Sequence, residues 1–184
     1  MERVRGQVGD LCRGWSADQV REIVRRHLDE TILPLVYTDA RQLIAAHRKA
    51  GQHVIIVSSS GIEMVGPIGE RLGASEVIAT RMEIADGCYT GEMEFWAYGE
   101  AKAHRMREVA ASRGYRLRDC FAYSDSITDL PMLEAVGHPR AVNPDRALRR
   151  VAKERQWPVL AFSATSPAAT GDRAPTLPAG ASIR

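Results

Sequence analysis

Cysteine is scarce in this chain: 184 residues hold three, Cys12, Cys88 and Cys120, far apart and odd in number. No CxxC pair exists, so neither a disulfide framework nor a zinc site is indicated, and a reduced cytoplasm suits this usage. Charge of one sign is also lacking. The formal net charge is +2 with the arginines scattered, which argues for neither a nucleic-acid nor a membrane-surface partner. Long apolar runs are absent: a stretch such as Val54 to Val57 is far too short to span a bilayer. The opening residues, Met1 to Gly6, carry no apolar signal-peptide core. What remains is ordinary for a globular domain, with 45% hydrophobic and 26% charged residues.

The pattern along the chain is one of alternating helices and strands. Ser16 with Gln19 three residues later makes a capping box, and Val20, Ile23, Val24, His27 and Leu28 follow at helical spacing. Thr38 opens a second helix, with Ala40, Leu43, Ile44 and His47 on one face and Gly51 just past its end. His53 to Val57 reads as a strand buried on both faces, which is typical of a parallel sheet. A helix over 62–72 closes at Gly73, and Glu76 to Ala79 is a second strand. Asp86-Gly87 between two short segments predicts a β-hairpin. Beyond it lie a helix over 100–112, a strand over 120–123 and a short helix over 130–136. A strand over 140–142, a helix over 146–155 and a strand over 159–162 complete the series. Repeated βα units call for an α/β fold with an open, mostly parallel sheet covered by helices. Residues 163–184 are rich in Ala, Pro, Ser, Thr and Gly, and read as a disordered tail.

Three places could carry chemistry. After the strand over 120–123 come Ser124, Asp125, Ser126, Ile127, Thr128 and Asp129, with a helix starting at once. Ligands of parallel α/β sheets bind at the carboxyl ends of the strands. Asp125 stands where it can ligate Mg²⁺, a hard cation that prefers carboxylate oxygen. Asp129 could orient a metal-bound water, or serve only as a helix N-cap, and Asp125 could be only a turn residue. Ser58, with Ser59, Ser60 and Gly61, offers hydroxyls and backbone N–H groups to a phosphate, or simply caps the next helix. Lys102, near a helix start, can neutralise phosphate or carboxylate charge, although a helical lysine is usually a solvated surface charge.

Taken in order, Ser58, Lys102 and the Ser124–Asp129 segment resemble motifs two, three and four of the haloacid dehalogenase superfamily. The segments Ala79-Thr80-Arg81-Met82, Asp86 to Gly91, Tyr98-Gly99 and Ser124 to Leu133 are similar to its phosphoserine-phosphatase-like branch, subfamily IB. The resemblance covers Cys12 to Phe162. It implies a Rossmannoid parallel sheet and Mg²⁺-dependent hydrolysis of a small phosphorylated metabolite through an aspartyl-phosphate. It further implies Lys102 and Asp129 in catalysis, with Asp125 and Asp129 at the metal. Ser58, Ser59, Ser126, Thr128 and Lys102 would lie around the phosphate and substrate. Residues 1–35 would be the remnant of a helical cap and 36–162 the core. Oligomeric state and the particular phosphomonoester stay open.

One element of the resemblance is missing. The family's chemistry begins at an apolar strand ending in Asp-x-Asp, and that strand lies centrally, between those ending at Ser58 and Ser124. The ten aspartates here are Asp10, Asp18, Asp29, Asp39, Asp86, Asp119, Asp125, Asp129, Asp145 and Asp172. No two are separated by a single residue, and none before Asp119 follows a buried strand. The expectation is therefore an inactive chain with its nucleophile upstream, from a start placed too late. The alternative is a non-catalytic phosphate-binding relic or pseudogene fragment.

Overall fold

A computed structural model describes residues 2–163 of the chain. The expected tail lies outside these residues except for Ser163. The described residues fall into two compact units, one of 2–36 with His47–Ala97, the other of Tyr37–Ala46 with 98–163. The fold is α/β, with parallel strand pairs flanked by helices.

In the first unit, α1 (Glu2–Cys12) precedes α2 (Ala17–His27), whose N-cap Ser16 accepts from the Gln19 amide as the capping box predicts. Helix α1 was not evident in the sequence, because Gly6 and Gly9 weaken its pattern. Gly9 has a use: a Cβ there would run into the carbonyl of Gly91, so its absence lets α1 lie against the sheet. Helix α2 runs on through a π-helical turn, Leu28–Ile32, and a 3-10 turn, Leu33–Leu35. Helix α3 (Thr38–Lys49) belongs partly to each unit. Strand β1 (Ile55–Gly61) leads into α4 (Ile62–Leu72), which ends at Gly73 with φ 73°. Strands β2 (Glu76–Ala85) and β3 (Cys88–Phe95) form the expected hairpin about Asp86 and Gly87, whose φ values of 50° and 78° suit a primed turn. The sheet order is β1-β2-β3, parallel then antiparallel.

The second unit contains α5 (Glu100–Arg113), β4 (Phe121–Ser124), α6 (Leu130–Glu134), β5 (His138–Val142), α7 (Arg146–Glu154) and β6 (Val159–Leu160). Its sheet is all-parallel in the order β4-β5-β6. Ala122, Leu133, Val136, Ala141, Leu148 and Ala152 form its core, with Met106 and Ile127 packed alongside. The strands form two three-stranded sheets, consistent with an α/β fold whose central strand is missing between β1 and β4. Among the described residues β1 pairs only with β2, and β4 only with β5.

Candidate active site

In the second unit the short strand β4 ends at Ser124, and the chain turns through Asp125 and Ser126 into a 3-10 turn, Ile127–Asp129. Lys102 lies in the first turn of α5, and contrary to its usual surface role it is buried, 6% exposed. Its Nζ donates to Asp129 Oδ1 at 2.8 Å. Ser124 Oγ donates to the other oxygen of Asp129, also at 2.8 Å. Both carboxylate oxygens are therefore taken by buried donors, the condition under which a charge pair tolerates burial. Asp129 makes no side-chain cap of α6, so the plain capping role considered above does not apply.

The loop between is held group by group. Ser124 Oγ accepts from the Ser126 amide at 3.2 Å, and Ser126 Oγ accepts from the Thr128 amide at 3.3 Å. The Ser126 and Thr128 hydroxyls lie 3.0 Å apart. Asp145, the N-cap of α7, accepts from the amides of Leu148 at 2.7 Å and Ile127 at 2.8 Å. Those backbone bonds, led by that from Leu148, hold its carboxyl below the ordinary carboxylate range. Asp145 was not singled out in the sequence, although an Asp directly before a helix is an N-cap signal.

Asp125 differs from its neighbours. It is exposed at the carboxyl end of β4, and its carboxylate makes no hydrogen bond or ion pair among the described residues. An uncommitted carboxylate beside a fixed loop has the right donor chemistry for a hard divalent cation. No group of three or more His, Cys, Asp or Glu residues that could hold a metal occurs among the described residues.

Ser58 and Ser59 belong to the first unit. The strand expected to stop at Val57 continues to Gly61, and its register against β2 slips between Ser58 and Gly61. The continuation has a cause: buried Thr80 donates from Oγ1 to the Ser59 carbonyl at 2.8 Å and accepts from the Ala97 amide at 3.2 Å. Ser58 Oγ accepts from the Ser60 amide at 3.2 Å, while Ser59 and Ser60 are exposed. The serines do not cap α4, whose N-cap is Gly61 without a side-chain bond. The structure thus gathers Lys102, Asp125, Ser126, Thr128 and Asp129 in one unit and leaves Ser58 and Ser59 in the other.

The chain as a whole has relatives among known proteins. Residues 2–134 match the model of the haloacid dehalogenase-like hydrolases. The chain belongs to that family. It is 58% identical over 163 residues to an "inhibition of morphological differentiation protein" of Streptomyces azureus, a match covering 88% of this chain and 59% of the relative. It is 54% identical over 183 residues to a probable phosphatase of Mycobacterium tuberculosis, covering 100% of this chain and 63% of that one. The chain therefore spans about three fifths of the length of these relatives. Among solved structures, a Bordetella pertussis protein of unknown function superposes with a TM-score of 0.79 at 30% identity, over 87% of this chain and 74% of the other. No helix among the described residues is long and apolar enough to cross a membrane.

Proposed function

We propose that this chain supplies the charge-handling part of an Mg²⁺-dependent phosphomonoesterase acting on a small phosphorylated metabolite. The carrying observation is the buried Lys102–Asp129–Ser124 network beside an Asp125 carboxylate that has no partner among the described residues. Asp125 would hold the cation, with Asp129 supporting that place from behind through Ser124 and the loop. Bound there, Mg²⁺ would supply charge neutralisation for a phosphate dianion. Lys102 would add positive charge near the phosphate while fixing Asp129. Ser126 and Thr128 would line the substrate loop, and Ser58 and Ser59 would offer hydroxyl and amide donors to phosphate oxygens. Residues 1–35 would be the remainder of a helical cap, and 36–162 the core. The three cysteines, all free, suit a reduced cytoplasm.

In this reading the full-length protein forms an aspartyl-phosphate on a residue outside these 184. None of the ten aspartates stands in an Asp-x-Asp pair, and β1 and β4 each lack a second pairing partner among the described residues. The same observation favours one rival, a phosphate-binding protein that does no chemistry.

Two measurements separate them. The 184-residue chain should hydrolyse p-nitrophenyl phosphate no faster than buffer, whereas a form extended through the upstream coding sequence should turn it over with Mg²⁺. An extended form that binds phosphate without turnover establishes the rival. Asp125→Asn should weaken Mg²⁺ binding at least about tenfold with stability nearly unchanged, since Asn keeps the size and the turn preference. Unchanged Mg²⁺ affinity in that variant refutes the metal assignment.

A further inference from the structure

We infer that Asp145 is a positioning residue for the Asp125 loop, clamping it to the start of α7 so that the Asp125 carboxylate is presented in one place. This rests on the reading of Asp125 as a cation-holding group.

An N-cap needs one oxygen, and Asp145 Oδ1 meets that need by accepting from the Leu148 amide at 2.7 Å. The second oxygen does something a cap does not require. Oδ2 reaches 18 residues back along the chain to accept from the Ile127 amide at 2.8 Å. The backbone of the same residue makes a third bond, its N–H donating to the Asp125 carbonyl at 2.7 Å. Asp145 therefore grips the loop on both sides of Ser126.

Asp145 is itself anchored. Asn143, two residues before it, adopts φ 42° and exchanges side-chain bonds with the Phe162 backbone, Nδ2 to the carbonyl at 2.9 Å and Oδ1 from the amide at 3.0 Å. With the Ser124 and Ser126 hydroxyls holding the amides of Ser126 and Thr128, and the Ser126 carbonyl accepting from the Asp129 amide at 3.1 Å, the loop backbone is committed at successive groups. Among the described residues the polar side chain of this loop left over is that of Asp125. A ligand whose surroundings are fixed in this way loses little freedom when it binds, which is how outer partners of a metal ligand raise affinity.

The test exploits the two oxygens. Asp145→Ser and Asp145→Asn both retain a good N-cap for α7, but each has one acceptor oxygen where Asp145 uses two, one for each amide. The backbone bond to Asp125 persists in both. Amide exchange followed by NMR and Mg²⁺ titration of the same samples give two readouts. Expected are about tenfold faster exchange at Ile127, about tenfold weaker Mg²⁺ affinity, and unchanged exchange within α7. If Ile127 exchange and Mg²⁺ affinity match the unsubstituted protein in both variants, Asp145 is a helix cap and the inference falls. If the unsubstituted protein shows no Mg²⁺ response, the fault lies in the assignment of Asp125, and the inference falls with it.

Discussion

Each unit buries one acidic side chain among the described residues, and the two are neutralised differently. Asp129 meets an ammonium group at 2.8 Å, with Lys102 as buried as itself and Ser124 on the other oxygen. Glu63, 6% exposed in the first turn of α4, receives the Tyr89 hydroxyl, while the Arg21 guanidinium stands off at 3.9 Å and is partly exposed. One carboxylate is locked in a full ion pair; the other leans on a neutral donor. Fixing a buried charge to a buried charge is costly in desolvation, and such a pair by itself is weak evidence for stability. The expense makes sense where the pair arranges chemistry, and Asp129 adjoins the Asp125 loop. Glu63 ties α2, α4 and β3 together, which needs no more than a hydrogen bond.

The comparison is broken most directly at Lys102. Lys102→Met keeps the length and loses the charge, leaving Asp129 buried beside Ser124 alone. Unfolding by denaturant should show a loss of about 4 kcal/mol. Adding Asp129→Leu should recover most of it, because the double variant has no uncompensated charge. A loss below about 1 kcal/mol for Lys102→Met would mean that Asp129 gains water, and the contrast with Glu63 would vanish.

How much of this was legible beforehand differs by residue. Helix α4 with its closing Gly73, the turn at Asp86-Gly87 and the Ser16 cap were readable, because each depends on local geometry that a few residues dictate. Asp125 and Asp129 stood out at the end of a strand and Lys102 near a helix start, but the burial of Lys102 had no local signal, because it depends on how α5 seats against the 3-10 turn. Thr80 and Asp145 gave too little. Their bonds to Ser59 and Ile127 cross 21 and 18 residues, and no local pattern specifies such partners. The extension of β1 through Ser58–Gly61 went unseen for the same reason: serines are poor strand formers, and a tertiary bond overrides that preference.

Tyr89 comes next in size. Tyr89→Phe removes one donor to Glu63 and should cost about 2 kcal/mol, the value of a hydrogen bond to a charged group. It also has a signature in pH. Burial first, then the nearby Glu63 charge, pushes the Tyr89 hydroxyl above its ordinary value. A group raised on folding contributes its stability in full below its unfolded pKa and loses it as pH rises towards the folded value. Stability should therefore fall above about pH 10, where an unfolded tyrosine ionises. In Tyr89→Phe that alkaline decline should be shallower, as read from denaturant midpoints between neutral and alkaline pH. An identical decline would show that Tyr89 takes no part in it.

The smallest effect is expected at Arg21, and it bears hardest on the comparison. Arg21 pairs at 2.6 Å with Asp18, which is largely solvent-exposed, and stands 3.9 Å from Glu63. Exposed i,i+3 pairs are worth a few tenths of a kcal/mol and are weakened by salt. At 3.9 Å the guanidinium lies near the limit of an ion pair, and its partial exposure screens it further. Arg21→Gln keeps a polar chain of similar reach and should cost no more than about 0.5 kcal/mol at low salt, shrinking as salt is raised. Such a result would leave Glu63 resting on Tyr89. A loss of 2 kcal/mol or more, persisting at high salt, would instead make Arg21 the true counter-charge. Glu63 would then be a second locked ion pair, and the distinction drawn between the two units would fail at its first-unit end.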